Sequence, residues 1–129
     1  MTHPPTPATL KFLRALHLAC PRCGASGILK SWFATHSRCP SCDLALERGE
    51  GDFWMGAYVI NLAVAESAAA LFGALVLWAT WPTTKAATIT AISLAIALPM
   101  VFYPFSRTLW LAWDLSFRPS EPGDSATEP

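Results

Sequence analysis

Charged residues are scarce in this chain. Only 14% of its 129 residues are Asp, Glu, Lys or Arg, whereas a typical soluble domain carries roughly a quarter. Basic and acidic residues balance at nine each, which implies no bulk electrostatic attraction to nucleic acid. The N-terminus also lacks the basic, then apolar, then small-residue pattern of a secretory signal, so we expect none. With 53% hydrophobic residues, this composition favours a membrane protein.

Recognisable catalytic patterns are missing as well. The sequence shows no nucleophile paired with a general base, no glycine-rich phosphate loop and no metal-ligand set that leaves a coordination position open. We therefore expect a protein that is not an enzyme and that has no small-molecule substrate.

Two long apolar runs occupy residues 53–81 and 86–105. A membrane-spanning helix needs about 20 apolar residues to cross a hydrocarbon core of roughly 30 Å, and both runs are long enough. The alternative, a pair of core helices in a soluble protein, requires a surrounding domain that the rest of the chain is too short to supply. Aromatic residues cluster at the ends of the runs, as in the aromatic belts of membrane proteins. We predict an all-α membrane hairpin of two transmembrane helices joined by a short turn at Pro82.

Basic residues predict the orientation of this hairpin. Six precede the first run, one lies in the connecting turn and two follow the second run. Because cytoplasmic loops are rich in Lys and Arg, we expect both termini to lie in the cytoplasm. The nine residues are Lys11, Arg14, Arg22, Lys30, Arg38, Arg48, Lys85, Arg107 and Arg118.

All four cysteines stand in two Cys-x-x-Cys pairs, "CPRC" (20–23) and "CPSC" (39–42), with fifteen residues between them. This spacing is typical of a structural zinc ribbon, in which two tight turns complete a tetrahedral sulfur shell. Iron in the same shell is an alternative. Disulfides and redox thiols are disfavoured by a cytoplasmic location and by the lack of room for a thioredoxin-like domain. We predict a Zn²⁺ ion with a structural role, bound by Cys20, Cys23, Cys39 and Cys42.

The residues around the cysteines refine this prediction. Gly24 follows the first pair, where a left-handed backbone turn is needed, and Asp43 takes the equivalent position after the second pair, although Asp tolerates it less well. His17 and His36 are expected on the surface, because the sulfur shell is already full. Charges balance from residue 20 to 52, so the module lacks the basic stripe of a nucleic-acid interface.

Three acidic residues near or inside the first run raise a second question. Asp52 is most simply the N-cap of the first membrane helix, and Glu50 a solvated residue at the interface. Glu66 falls near the middle of the run, where a carboxylate is costly and has to face protein or water. We expect Glu66 to hydrogen-bond near Ser93 of the second run. The alternative is a proton or metal-ion site that includes Glu50, Asp52, Glu66 and Ser93.

Helical spacing predicts the faces through which the two spans pack. Glu66 shares its face with small residues that allow close approach of helices, and we predict that this face meets the face of Ser93. Asn61 lies on a neighbouring face, where it could pair with another subunit. Pro99 leaves the carbonyl of Ala95 without its helical donor, which makes that carbonyl a second partner for Glu66. The predicted faces are Val59, Ala63, Glu66, Ala69, Ala70 and Gly73, and Ala86, Thr90, Ser93 and Ala97.

The stretches "CPRCGASGIL", "CPSCDLALERGEGD" and "YPFSRTLWLAWDLSFRP" resemble a bacterial membrane family catalogued as domain of unknown function 983. The likeness covers residues 18–119, and Asp43 departs from it by standing where the family usually has glycine. The resemblance implies a small protein of the bacterial inner membrane with a cytoplasmic zinc ribbon and two spans. It implies no reaction, since the family has no assigned activity. An association of some members with respiratory oxidase assembly suggests a respiratory complex as the setting.

The leading hypothesis is a non-enzymatic adaptor or assembly factor for a larger membrane complex. Its expected partners are the lipid bilayer and either another membrane protein or a second copy of the chain. Metal-ion or proton handling through Glu50, Asp52 and Glu66 is the alternative, and a thiol redox enzyme is a third.

Residues 10–19 fit either a short interfacial helix or a strand. The predicted organisation is a disordered tail (1–9), the zinc-ribbon module (10–50), the first transmembrane helix (51–81), an external turn (82–85), the second transmembrane helix (86–105), an interfacial segment (106–117) and a disordered tail (118–129).

Overall fold

The computed structural model describes residues 6–47, 54–79 and 83–118. Over these ranges the chain forms three helices and one antiparallel two-stranded sheet. Their bounds are Ala8–Leu16 (α1), Leu29–Ser31 (β1), Ala34–Thr35 (β2), Met55–Trp78 (α2) and Thr84–Phe117 (α3).

α2 and the first part of α3 correspond to the two apolar runs. The helices have 24 and 34 residues, which gives lengths of about 36 Å and about 51 Å at the rise of an α-helix. Each helix contains a stretch of 18 residues with a mean hydropathy of 1.9. The buried share of this stretch is 6% in α2 and 0% in α3. Both helices are therefore long and apolar enough to cross a membrane. Their exposure differs from that of core helices in a soluble protein, whose apolar faces are covered by protein.

α3 does not end with the second apolar run. It continues without a break through residues 106–117, which the sequence predicts as a separate interfacial segment. A span uses about 20 residues, so α3 has about 14 residues, or some 20 Å, left to support other parts of the chain. All of its buried residues lie in this last part of the helix: Pro104, Ser106, Arg107, Thr108, Leu111, Ala112, Asp114 and Leu115.

The N-terminal helix packs against this last part of α3. For residues 10–19 the sequence fitted either a helix or a strand, and the structure makes residues 10–16 of them helical. α1 begins at Ala8, inside the predicted tail. Two long-range hydrogen bonds join the helices. The Lys11 ammonium donates to the carbonyl of Leu115 at 3.0 Å, and the Thr108 hydroxyl donates to the carbonyl of Ala15 at 2.8 Å. Thr108 and Ala15 are both buried, so this bond fixes α1 at one level of α3.

The faces that join α2 to α3 differ from the predicted ones. Glu66 and Ser93 are both exposed, and no hydrogen bond between them occurs in the described part of the chain. The expectation that their faces pack together is wrong, because α2 meets α3 through the side of the helix that carries Asn61, Ala65 and Ala68. Of the residues on the two predicted faces, Ala69 is the one that lines the space between the helices. A gap of about 90 Å³ separates the helices and is lined by Ala65, Ala68, Ala69, Phe72, Ala91, Leu94, Ala95 and Leu98.

Asn61 also lies on the face of α2 that meets α3. Its amide N–H donates to the carbonyl of Pro99 at 3.3 Å, so this group pairs within the hairpin. Asn61 precedes Ala65 and Ala68 by four and seven residues, which places all three on one side of the helix. That spacing explains why its side chain points at α3.

Candidate metal centre

The four cysteines converge between the sheet and the end of α3. One sulfur from each residue lies within 4.8 Å of the other three. Two of the separations are 3.7 Å, between Sγ of Cys20 and Cys42 and between Sγ of Cys23 and Cys39. The sequence predicted these four residues as ligands of one ion, and the structure brings them together.

This spacing fits a tetrahedral metal ion. Zinc–sulfur bonds of about 2.3 Å in tetrahedral geometry place the sulfurs about 3.8 Å apart. The two separations of 3.7 Å match that edge length, and each joins one cysteine of the first pair to one of the second. The cluster can therefore hold one metal ion with four thiolates, and the chemistry of the donor set suits zinc or iron.

The first pair forms a tight turn closed by backbone hydrogen bonds. The Gly24 N–H donates to the carbonyl of Cys20 at 2.8 Å, and the Cys20 N–H donates to the carbonyl of Ala25 at 2.9 Å. The Ala25 N–H points at Sγ of Cys23 at 3.5 Å. Gly24 has a φ of +78°, a conformation that glycine adopts without strain. The predicted left-handed turn at this position is confirmed.

The second pair repeats this arrangement with an aspartate. The Asp43 N–H donates to the carbonyl of Cys39 at 3.0 Å, and the Cys39 N–H donates to the carbonyl of Leu44 at 2.9 Å. Asp43 has a φ of +55°, as its position in the motif predicted. Its carboxylate forms an ion pair with Arg38, and the distance between Oδ2 of Asp43 and Nη1 of Arg38 is 3.0 Å. This pair holds the Asp43 side chain near Arg38.

A metal ion that binds this cluster has to displace protons from at least two of the thiols, because their pKa values are raised. Burial raises the pKa of the Cys20 thiol far above its usual value and raises the pKa of Cys42 from 9.0 to about 11. Burial acts in the same direction on Cys39, but hydrogen bonds from the backbone N–H groups of Cys42 and Ser41 outweigh it and lower the pKa of that thiol. Without a metal ion, Cys20 and Cys42 are therefore protonated at neutral pH.

The cysteine cluster is part of the hydrophobic core that joins the ribbon to α3. Cys20 and Cys39 are buried, and the exposed fractions of Leu111 and Leu115 are only 2% and 4%. The metal centre and the end of α3 thus share one core, which links the state of the cluster to the position of the ribbon on the helix. The buried members are Cys20, Ile28, Cys39, Leu44, Leu46, Leu111 and Leu115, with Leu29, Cys42, Trp54 and Trp110 packed around them.

Arg14 of α1 supports the first cysteine turn from outside. Its Nη1 donates to the carbonyl of Arg22 at 2.7 Å and to the carbonyl of Pro21 at 3.4 Å. The sequence identified Arg14 only as a basic residue that sets orientation. Its structural role follows from the helical assignment of α1, which was one of the two alternatives.

A second contact, also missed by the sequence, anchors the tip of the hairpin formed by β1 and β2. The indole N–H of Trp32 donates to the carbonyl of Met100 at 2.8 Å. Pro104 lacks an N–H and therefore leaves the carbonyl four residues earlier, that of Met100, without its helical donor. The sequence signal for this contact is Pro104, which frees the carbonyl of Met100 just as Pro99 frees that of Ala95.

The two histidines near the cysteines do not join the cluster. His17 and His36 are exposed and are not among the clustered residues, as expected. Glu50 and Asp52 lie outside the described residues. The predicted role of Asp52 as a helix cap therefore stays a prediction. α2 begins at Met55 with Trp54 in the N-cap position, and Trp54 packs against the core of the ribbon.

Comparison with known families identifies the chain. The family described as "Protein of unknown function (DUF983)" matches residues 29–114, two thirds of the sequence. The chain belongs to this family. The matched region includes the second cysteine pair, α2 and all but the last three residues of α3 of this DUF983 protein, and it begins after the first pair. No match was found among curated proteins or among solved structures.

Proposed function

We propose that this DUF983 protein is an integral membrane protein whose zinc-folded ribbon presents a fixed surface to a partner in the bacterial inner membrane. α2 and residues 84–103 of α3 span the bilayer. Both termini and the ribbon lie on the cytoplasmic side, which is supported by the excess of basic residues before α2 over the single Lys85 between the helices. In this proposal the protein has no enzymatic activity and acts as an adaptor or assembly factor.

One observation carries this proposal: three of the four clustered cysteines, Cys20, Cys39 and Cys42, belong to a core that they share with the extension of an apolar helix. A zinc ion bound by four cysteines has no open coordination position, so its contribution is to folding. That contribution fixes the ribbon against Leu111 and Leu115, and through α3 it fixes the ribbon relative to the span. Such a rigid module at the base of a helical hairpin suits the positioning of another protein better than it suits a reaction.

The test is purification of the full chain in mild detergent, with metal analysis and mass spectrometry of co-purifying proteins. We expect one zinc ion per chain, resistance to mild chelation and a reproducible membrane-protein partner. The matched variants are Cys23→Ser, which removes an exposed ligand, and Ser41→Ala, which alters an exposed neighbour that is not a ligand. Loss of zinc and partner in the first variant alone would support the proposal. A metal-free wild-type protein with the same partner would contradict the role of the ribbon.

Ion or proton handling is the second candidate, and the exposure of Glu66 favours it. This carboxylate lies on α2 among exposed apolar residues such as Leu62 and Leu71. An ionisable group at this depth is costly unless protein, water or a proton neutralises it. Glu66→Gln preserves the shape and removes the charge. Unchanged proton and zinc fluxes in liposomes, together with unchanged partner binding, would eliminate this candidate.

A further inference from the structure

The hairpin tip of the ribbon exposes two large aromatic side chains. Trp32 and Phe33 form the turn between β1 and β2, and their exposed fractions are 47% and 51%. Such a pair is unusual on a small polar module, because exposed large apolar patches normally mark an interaction site. The ribbon already buries its own core residues against α3, so the tip is not needed to complete that core.

Three contacts fix the tip beside α3. The indole N–H of Trp32 is satisfied by the Met100 carbonyl. The carbonyl of Phe33 accepts a hydrogen bond from Nη1 of Arg107 at 2.9 Å, and its ring lies 5.4 Å from that of Tyr103 between centroids. The polar groups of the tip are therefore directed at the helix, whereas about half of each aromatic residue remains exposed.

The level of the tip along α3 is where exposed apolar residues give way to buried ones. Met100 and Val101 have exposed fractions of 52% and 57%, and the buried part of the helix begins at Pro104. Met100 lies about 16 Å along the helix from Leu111, so the tip reaches from the ribbon core back towards the span. The tip therefore lies at a level of α3 where apolar side chains are still exposed.

We propose that the Trp32–Phe33 tip inserts into the headgroup region of the same bilayer that α2 and α3 cross. The tip is continuous with the apolar surface of the span, and tryptophan is enriched at the membrane–water interface. The exposed Lys30 precedes the tip, where its ammonium can meet lipid phosphates. The ribbon is thus held at the membrane at two points, its core on α3 and its tip in lipid. The inference rests on the proposed membrane placement of the helices.

Photocrosslinking to lipid tests this insertion in the full-length, metal-loaded protein. The variants carry p-benzoylphenylalanine in place of Phe33, of Leu71 or of Ser41, and are placed in nanodiscs of phosphatidylethanolamine and phosphatidylglycerol. Leu71 is exposed in the second half of α2, seven residues before its end, and Ser41 is exposed on the second cysteine turn. Metal content is measured for each variant, so that a misfolded ribbon is recognised.

We expect lipid adducts at positions 33 and 71 and none at position 41. Adducts at position 71 without adducts at position 33 would overturn the insertion of the tip and leave the membrane placement intact. No adduct at position 71 would contradict the placement of the helices themselves. Equal labelling at positions 33 and 41, or adducts of position 33 with a protein partner in cell membranes in place of lipid, would also overturn the proposal.

Discussion

The guanidinium of Arg107 lies over the indole ring of Trp54, 3.8 Å from the ring centroid. Arg107 is only 8% exposed, and its Nη1 also donates to the carbonyl of Phe33. Among the described residues, no carboxylate forms an ion pair with it. One cation of α3 therefore joins the start of α2 to the tip of the ribbon, through an aromatic face and a carbonyl.

Replacing Arg107 by lysine should lower the stability of the protein. Lysine keeps the charge but lacks the planar group that stacks on Trp54. A cation–π contact of this kind contributes about 0.5–2 kcal/mol, and we expect a decrease of about 1–2 kcal/mol in the free energy of unfolding. Thermal unfolding in detergent measures it. Arg22→Lys is the control, because the side chain of Arg22 makes no hydrogen bond or ion pair in the described part of the chain. Equal melting temperatures for both variants would contradict the role assigned to Arg107.

Trp32→Phe should loosen the attachment of the hairpin tip to α3 without removing its apolar surface, because the contacts of Phe33 with Arg107 and Tyr103 remain. The substitution leaves the carbonyl of Met100 without a donor, at a cost of about 1–3 kcal/mol where that group is shielded from water. We expect faster amide hydrogen exchange over residues 29–35 and little change in metal content. Trp113→Phe is the matched control, since Trp113 is similarly exposed at 49% and makes no hydrogen bond among the described residues. Unchanged exchange at the tip would show that its position does not depend on Met100.

Gly56 of α2 is required for close packing against the end of α3. A Cβ at this position would collide with the indole ring of Trp110. Gly56→Ala should therefore lower the free energy of unfolding by about 1–3 kcal/mol, as other overpacked substitutions do. Gly73 lies in the same helix with nothing within 4 Å of such a Cβ, so Gly73→Ala should be neutral or stabilising by up to about 1 kcal/mol. Similar melting temperatures for the two variants would place Trp110 away from α2.

Asp43→Gly should leave stability unchanged or increase it slightly. Glycine removes the strain of a side chain at φ +55°, about 1–2 kcal/mol. The substitution also removes the ion pair to Arg38, which is worth at most about 1 kcal/mol because the Asp43 side chain is 78% exposed. Asp43→Ala loses the ion pair and keeps the strain, and should lose zinc at a lower chelator concentration than wild type. A glycine variant that loses zinc as readily as the alanine variant would show that the ion pair outweighs the backbone strain.

The predictable parts of this protein are those encoded by local patterns. Two Cys-x-x-Cys pairs specify their own turns through residues two to five positions apart, so the cluster and the conformations of Gly24 and Asp43 followed from spacing alone. The length of the apolar runs likewise predicted two long helices. In both cases the information lies within a single segment of the chain.

The parts that the sequence did not reveal depend on contacts between distant segments. Which side of α2 meets α3 is decided by the sum of many small packing terms, and the choice that placed Glu66 opposite Ser93 was wrong. The anchors of the ribbon, such as the bond from Trp32 to Met100, link residues 68 positions apart. The continuation of α3 past residue 105 depends on a core shared with the cysteines, which stabilises a segment that alone looks like an interfacial helix.

Zinc binding should weaken steeply in acid. The pKa of Cys42 is raised to about 11 and that of Cys20 is raised further, both chiefly by burial, so at least these two thiols have to lose a proton when the metal binds. We therefore expect the apparent zinc affinity to rise at least about a hundredfold per pH unit between about pH 6 and about pH 8. Competition with a chromophoric chelator at several pH values measures the slope.

The metal-free protein should show the opposite dependence of stability on pH. A thiol whose pKa is higher in the folded than in the unfolded state stabilises the fold below the unfolded value, and this contribution is lost as pH rises through the folded value. For Cys42 the loss falls between pH 9.0 and about 11. Chemical unfolding of the chelated protein over this range should show decreasing stability, and Cys42→Ser should reduce the decrease. Metal-free stability that is constant up to pH 11, together with zinc affinity that is independent of pH, would mean that Cys42 is more exposed to water than its place in the ribbon core requires.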